Sequence, residues 1–369
     1  MQIISISEEK KMYNTAEDVK SLVEDIRKSA ETLRGIDLSE NSFSPEALKE
    51  VLVELSKAKE IEVVIFKGIF TQRVKEQVNA SLSSIVEHLL PLKKIAYFDI
   101  SDNALSLYGM EILVPLVEKM HKVKHLVMNN NGIGIDGGEF LSQALENLAK
   151  ESTELQSLEV GRNRLEESAT KLGKALSHFP HFDALKIYQN SISSVNMGDL
   201  FNSLSGQSMR VLDVSDNFLL EYGSTVLSTV IANWPIEYLN VADCMMSDKG
   251  VEIFAQAIPT VTLLQGELIP EKEIDLSYND ITEESLKSVA EVLRKMPSTK
   301  FILTGNELAK KDIEYIKMVA EETTCEIEFE EEEEDELIFS SEEKEKIISE
   351  EEVIQKIEEK ISEITIQKT

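Results

Sequence analysis

The sequence predicts an α/β solenoid, a horseshoe with a parallel β-sheet on its concave side and helices on its convex side. Three observations carry that prediction. A pattern of the form Leu-x-x-Leu-x-Leu-x-x-Asn-x-Leu recurs, as in Leu155-Gln156-Ser157-Leu158-Glu159-Val160-Gly161-Arg162-Asn163-Arg164-Leu165. Its ninth position is occupied in turn by Asn41, Ile69, Asn103, Asn131, Asn163, Asn190, Asn217, Cys244, Asn279 and Asn306, mostly at intervals of 27 or 28 residues with a few longer. Between motifs lie amphipathic stretches such as Gly109 to His121 and Gly138 to Glu151. This is the long, helix-containing form of the leucine-rich repeat, ribonuclease-inhibitor-like, in which each unit buries its apolar face only against its neighbours.

Each element of the unit follows from side-chain direction. Positions four and six point into the core, while three, five and seven face the concave surface, because alternate residues of a strand point to opposite faces. Asn suits the ninth position because one amide both donates and accepts, satisfying the backbone of its own turn and of the next coil. Cys244 is a swap the pattern tolerates. Ile69 makes none of those bonds, so the second repeat is expected to turn differently, around Gly68-Ile69-Phe70-Thr71-Gln72-Arg73-Val74-Lys75. The eighth position lies at the rim, and its column reads Glu40, Gly68, Asp102, Asn130, Arg162, Gln189, Asp216, Asp243, Tyr278 and Gly305. A polar column at a loop is ordinary solvation, and its clustering along one edge also fits a protein interface.

A solenoid grows by adding units, so the 369 residues need no second core. Residues 1–325 are read as one repeat domain, 326–340 as an acidic segment and 341–369 as an amphipathic helix or disordered tail. Glu326 to Glu363 carries 18 acids against 4 lysines, with an unbroken acidic run from Glu330 to Glu336. Such a run repels itself and favours a solvated tail. Beyond it, Ile347, Ile354, Ile357, Ile361 and Ile364 fall on one face of a helix, a seam able to dock on the solenoid or on a partner.

The net charge of −30 argues against nucleic acid or an anionic membrane as partner and favours a basic protein surface. Two cysteines, Cys244 and Cys325, leave no disulfide framework and point to a reducing compartment. The first residues, Met1-Gln2-Ile3-Ile4-Ser5, lack a charged segment leading into a long apolar one, so a cytoplasmic location, perinuclear included, is expected. The histidines, His88, His121, His125, His178 and His181, form no familiar metal spacing, and no nucleophile elbow or phosphate-cradling glycine loop is present. No metal site is expected. Any chemistry is lent to a partner, so the chain is read as not itself an enzyme.

Five features together are similar to the Ran GTPase-activating proteins: Phe70-Thr71-Gln72-Arg73-Val74-Lys75, Ser101-Asp102-Asn103-Ala104-Leu105, Asn130-Asn131-Gly132-Ile133-Gly134, Gly161-Arg162-Asn163-Arg164-Leu165-Glu166, and the acidic tail. The resemblance runs over roughly residues 20 to 325 in repeat number and order. It implies stimulation of GTP hydrolysis by the small GTPase Ran in nucleocytoplasmic transport, without an arginine finger. A rim Asn, matched by Asn130, is implied as the catalytic residue that helps hold the GTPase's own Gln. Arg73, Lys75, Asp102, Arg162, Gln189, Asp216 and Asp243 are the implied partner-binding set. The partner is Ran in its GTP form, alone or with a Ran-binding protein, and GTP and Mg belong to that partner. The chain itself needs no cofactor and is expected to be a monomer.

Gly68 departs from the family where members can carry an acid, and the connection Leu263 to Glu273 is long. Nothing resembles the extra C-terminal domain by which vertebrate members attach at the nuclear pore, so such anchoring is not expected. The competing reading is a non-catalytic acidic binding module, ribonuclease-inhibitor-like or a scaffold of the tropomodulin kind. The scarcity of cysteine counts against the first, and the acidic run fits the second poorly.

Overall fold

A computed structural model describes residues 2–7, 9–258 and 272–329. The strands are β1 (Gln2–Ser5), β2 (Met12–Tyr13), β3 (Leu33–Asp37), β4 (Ser42–Phe43), β5 (Val63–Ile65), β6 (Tyr97–Asp99) and β7 (His125–Val127). They continue as β8 (Ser157–Glu159), β9 (Ala184–Lys186), β10 (Val211–Asp213), β11 (Tyr238–Asn240), β12 (Lys272–Asp275), β13 (Thr299–Ile302) and β14 (Glu326–Glu328). All but β2 and β4 join one parallel sheet in chain order, so every repeat lies beside its sequence neighbours. Short β2 pairs with β4 in a separate parallel pair at the start of the chain.

The register stacks like on like. Leu126, Leu158, Leu185 and Leu212 sit on one another across β7 to β10, all of them fully buried fourth-position leucines. Burying each is worth about 2 kcal/mol relative to leaving it exposed. At the first edge β1 adds a strand beside β3 that no recognised motif announces. At the other edge β14 continues the sheet past residue 325, into the start of the segment read as acidic tail.

The helices are α1 (Lys20–Ser29), α2 (Pro45–Leu55), α3 (Lys75–Leu89), α4 (Ser106–Val117), α5 (Gly134–Ala149) and α6 (Ser168–Leu176). Then come α7 (Ser194–Leu204), α8 (Leu220–Ile231), α9 (Ser247–Ala257), α10 (Leu286–Lys295) and α11 (Lys310–Thr323). In α5, Leu141, Ala144, Leu145 and Leu148 recur at three- and four-residue steps and are buried, which is the face a helix presents to one core. Helix α4 starts three residues before Gly109 and α5 four before Gly138, and both end before the limits expected from sequence. Helix α2 has the start signal the sequence encodes: Ser44 Oγ accepts from the Ala47 N–H at 3.1 Å, followed by Pro45. The run Glu330–Glu336, the isoleucine seam and residues 263–271 of the long connection lie outside the described residues.

Candidate functional site

The ninth-position asparagines form a ladder inside the solenoid. Asn131 accepts from the Asn103 N–H at 3.0 Å through Oδ1 and donates through Nδ2 to the carbonyls of Ile100 and Met128. Asn163 does the same for the Asn131 N–H, and Asn190 for Asn163. Cys244 takes the rung as expected, its thiol donating to the Val214 carbonyl at 3.3 Å. Ile69 is buried and offers no amide. The turn there is built otherwise: Phe70 bridges Ser42 in antiparallel sense, and the Phe43 N–H donates to the Ile69 carbonyl.

Every eighth-position residue is left-handed, from Glu40 to Gly305, with φ between 50° and 67°. Each of these rim residues from Glu40 to Tyr278 donates its N–H to the seventh-position carbonyl of the next coil, for example Asp102 to Asn129 at 2.9 Å and Asn130 to Gly161 at 2.8 Å. A left-handed backbone is tolerated best by Gly, Asn and Asp. The backbone therefore selects part of the column that sequence reading ascribed to solvation or to an interface. Gly68, the departure noted above, is one of these fitting residues.

The three consecutive asparagines do three different things. Asn131 is inward and buried, whereas Asn130 is exposed at the rim. Asn129, which sequence reading passed over, faces the concave side and accepts from the Gly161 N–H at 2.7 Å while donating to Glu159 at 3.3 Å. Asn130 donates through Nδ2 to Asp102 Oδ1 at 2.7 Å. The other oxygen of Asp102 lies 3.6 Å from Lys67 Nζ. Lys67 and Asp102 also line an open hollow with Lys10, Glu40, Gly68 and Thr71. A Cβ at Gly161 would meet the Tyr188 ring at 2.4–2.5 Å, so any larger residue there has to push that ring aside. Tyr188 is thus a second residue the motif reading missed; it lies on the Gly161 backbone beside the Asn130 rung.

Arg73 and Lys75 turn to different neighbours. The Arg73 guanidinium turns back onto the first repeat, donating to Ser42 Oγ at 2.9 Å, Asn14 Oδ1 at 2.8 Å and the carbonyls of Tyr13 and Ser42 at 3.2 and 2.9 Å. These acceptors are neutral, so the contact is neither a salt bridge nor a snorkelling pair, and burial draws its pKa down. Lys75 opens α3, with Nζ 3.6 Å above the exposed Tyr108 ring. Arg162 is exposed and its guanidinium makes no ion pair or hydrogen bond among the described residues. It does not bridge Asp102, whose carboxylate faces Asn130 and Lys67 instead. Gln189, Asp216 and Asp243 are exposed on successive later rungs of the same column.

On the concave face a recurrent local device shapes the strand ends. Asp37, Asp99, Asp213 and Asp275 each accept from the N–H of the Ser two residues on. Burial raises the Asp37 and Asp213 carboxyls above the usual range. This Asp-x-Ser pattern is legible in the sequence at positions five and seven. Among the described residues no group of His, Cys, Asp and Glu is placed to hold a metal. No helix there is long and apolar enough to cross a membrane.

Comparison with known proteins adds the family. Residues 272–290 match the leucine-rich-repeat family model. The chain is 28% identical over 306 residues to Ran GTPase-activating protein 1 of Saccharomyces cerevisiae, covering 78% of this chain and 72% of that protein. It is 30% identical over 201 residues to the Ran GTPase-activating protein of Drosophila melanogaster, covering 52% of this chain and 34% of that one. For Ran GTPase-activating protein 1 of Xenopus laevis the figures are 28% over 190 residues, 49% and 33%. The matched region thus spans about a third of the fly and frog proteins. With an unbroken asparagine ladder from Asn103 to Asn217 and a rim Asn beside it, the chain is a leucine-rich-repeat protein, and over these repeats it is similar to the Ran GTPase-activating proteins of yeast, fly and frog.

Proposed function

We propose that this protein stimulates GTP hydrolysis by Ran in its GTP form, using its rim and supplying no nucleotide-binding site of its own. The observation that carries the reading is the alignment with three Ran GTPase-activating proteins, two of which extend over half the chain or more. The geometry of the rim is compatible with it. Asn130 stands exposed on a backbone fixed by the flanking ladders, which suits a residue whose task is to orient a group on another protein. It contacts the switch region of the GTPase and helps hold the GTPase's own Gln against the attacking water.

Arg73 serves this role indirectly, as the tie between the second repeat and the first, since its donors are already engaged. Lys75 and Arg162 flank Asn130 as contact residues, and Asp102 supports Asn130 from the neighbouring rung. Gln189, Asp216 and Asp243 extend the contact, and the two acids attract basic partner surface. The protein acts as a monomer in the cytoplasm, on Ran alone or bound to a Ran-binding protein, and GTP and Mg stay with the GTPase.

Multiple-turnover hydrolysis of GTP on purified Ran tests the reading, with Ras-type and Rho-type GTPases as controls. Substoichiometric protein is expected to accelerate Ran alone. Asn130→Gly, which keeps the left-handed backbone, is expected to lower the stimulated kcat by about 10²-fold, the scale of losing one oriented catalytic hydrogen bond. Absence of any acceleration of Ran by the unaltered protein would overturn the proposal.

A further inference from the structure

We infer that Asp102 is a positioning residue, which fixes the amide of Asn130 so that its carbonyl oxygen, and not its NH2 group, faces the partner. The inference rests on the proposal that Asn130 is the acting rim residue. It comes from two neighbouring rungs that share one geometry. Asp102 and Asn130 have φ of 60° and 53°, and each is anchored by a backbone N–H to the next coil at 2.9 and 2.8 Å. Their side chains therefore leave the rim in parallel, one strand spacing apart, and meet at 2.7 Å.

A carboxylate only accepts hydrogen bonds. Of the two ends of an asparagine amide, it can face only the NH2, so the orientation of Asn130 is decided by its neighbour. Lys67 holds the second carboxylate oxygen at 3.6 Å and keeps the charge of Asp102 on the rim. The result is an acceptor, Asn130 Oδ1, presented outward at a set angle. The matching group on the partner must then be a donor, a hydroxyl or an N–H. Without Asp102 the amide rotates about its last bond, and each of its ends faces the partner only part of the time.

Glycine already occupies this column at Gly68 and Gly305 with the same φ, so Asp102→Gly removes the carboxylate and leaves the backbone unstrained. Asp102→Asn restores an acceptor oxygen without the charge. In the Ran assay Asp102→Gly is expected to lower the stimulated kcat about 10-fold with KM within about twofold, the kcat-specific loss of a group acting only in the transition state. Asp102→Asn, whose amide can turn either its oxygen or its NH2 to Asn130, is expected to recover only part of that kcat. On an Asn130→Gly background Asp102→Gly should have no further effect on kcat, because two residues acting as one unit are not additive. The Asn130 side-chain NH2 signal in ¹⁵N NMR, identified by its loss in Asn130→Gly, should shift on Asp102→Gly.

A rise in KM at constant kcat that persists on the Asn130→Gly background would mean that Asp102 touches the partner directly, and would overturn the inference. So would an unmoved NH2 signal. If the unaltered protein fails to stimulate Ran, the proposed function falls. If it stimulates Ran and Asn130→Gly abolishes that while Asp102→Gly is silent, the positioning role alone falls.

Discussion

Replacing Asn131 by Ala tests the ladder at the rung beside the candidate site. The wild-type side chain accepts from the Asn103 N–H and donates to the carbonyls of Ile100 and Met128. Both carbonyls keep a second donor after the change, Ile100 from Asn103 Nδ2 at 3.0 Å and Met128 from Asn163 Nδ2 at 2.9 Å. Only the Asn103 N–H is orphaned, in a place where both asparagines are almost fully buried. One buried unsatisfied donor costs about 1–3 kcal/mol, so the expected loss is about 2 kcal/mol. Asn130→Gly, one residue away but exposed, should change stability by no more than about 0.5 kcal/mol. Asn130→Ala is a poorer control, because alanine in a left-handed backbone adds roughly 1 kcal/mol of its own. Urea unfolding gives the comparison, read as a shift in midpoint at constant slope. Amide exchange at Asn103 localises it, since the loss should appear there first. A change at Asn131 smaller than that at Asn130 would refute the ladder assignment.

Three further outcomes are expected. Gly161→Ala should destabilise the protein by about 1–3 kcal/mol through the clash with Tyr188, and adding Tyr188→Ala should cancel part of that loss in a double-mutant cycle. The Cys244 thiol, pushed up to about 12 by burial, should resist Ellman's reagent at pH 8 in the folded protein, leaving Cys325 as the reacting thiol until urea exposes both. His125 is lowered to about 4 by burial and by Lys124, against the opposing pull of Asp183 and Glu159. Because its folded value lies below the unfolded one, the unfolded chain takes the proton first, and stability is lost as pH falls from about 6.5 towards 4, by at most about 3 kcal/mol. The carboxyls of Asp37 and Asp213, raised by burial, act in the opposite sense, adding stability as pH falls through their folded values. His125→Gln should flatten the slope of stability between pH 7 and 5 in denaturation series.

The repeat register was legible because it rests on periodicity, and the inward turn of Asn131 beside an outward Asn130 follows from counting alone. The left-handed rim was not legible. Asp102, Asn130, Asp216 and Asp243 suggest it, but Arg162 and Tyr278 in the same column hide it, and a backbone angle has no signature when its occupants are mixed. The course of Arg73 was hidden for another reason: its acceptors on Tyr13, Asn14 and Ser42 lie 31 to 60 residues away in the chain. The Asp-x-Ser device could have been found, since Asp37 and Ser39, Asp99 and Ser101, and Asp213 and Ser215 repeat at fixed positions. The N-terminal strand beside Leu33–Asp37 could not, because Gln2–Ser5 belongs to no full copy of the motif.

The unbroken parallel sheet also makes this molecule a ruler. Neighbouring strands are held about 4.8 Å apart, so Asn130 stands three rungs, roughly 14 Å, from Asp216 and four, roughly 19 Å, from Asp243. Those separations depend on the number of coils between the residues and on nothing in the residues themselves. Inserting one whole repeat between Arg162 and Asp216 would keep the same kind of ladder bond and rim angle at every rung, yet shift one end of the contact against the other by a full graduation. A partner that touches both ends reads coil number as directly as it reads chemistry.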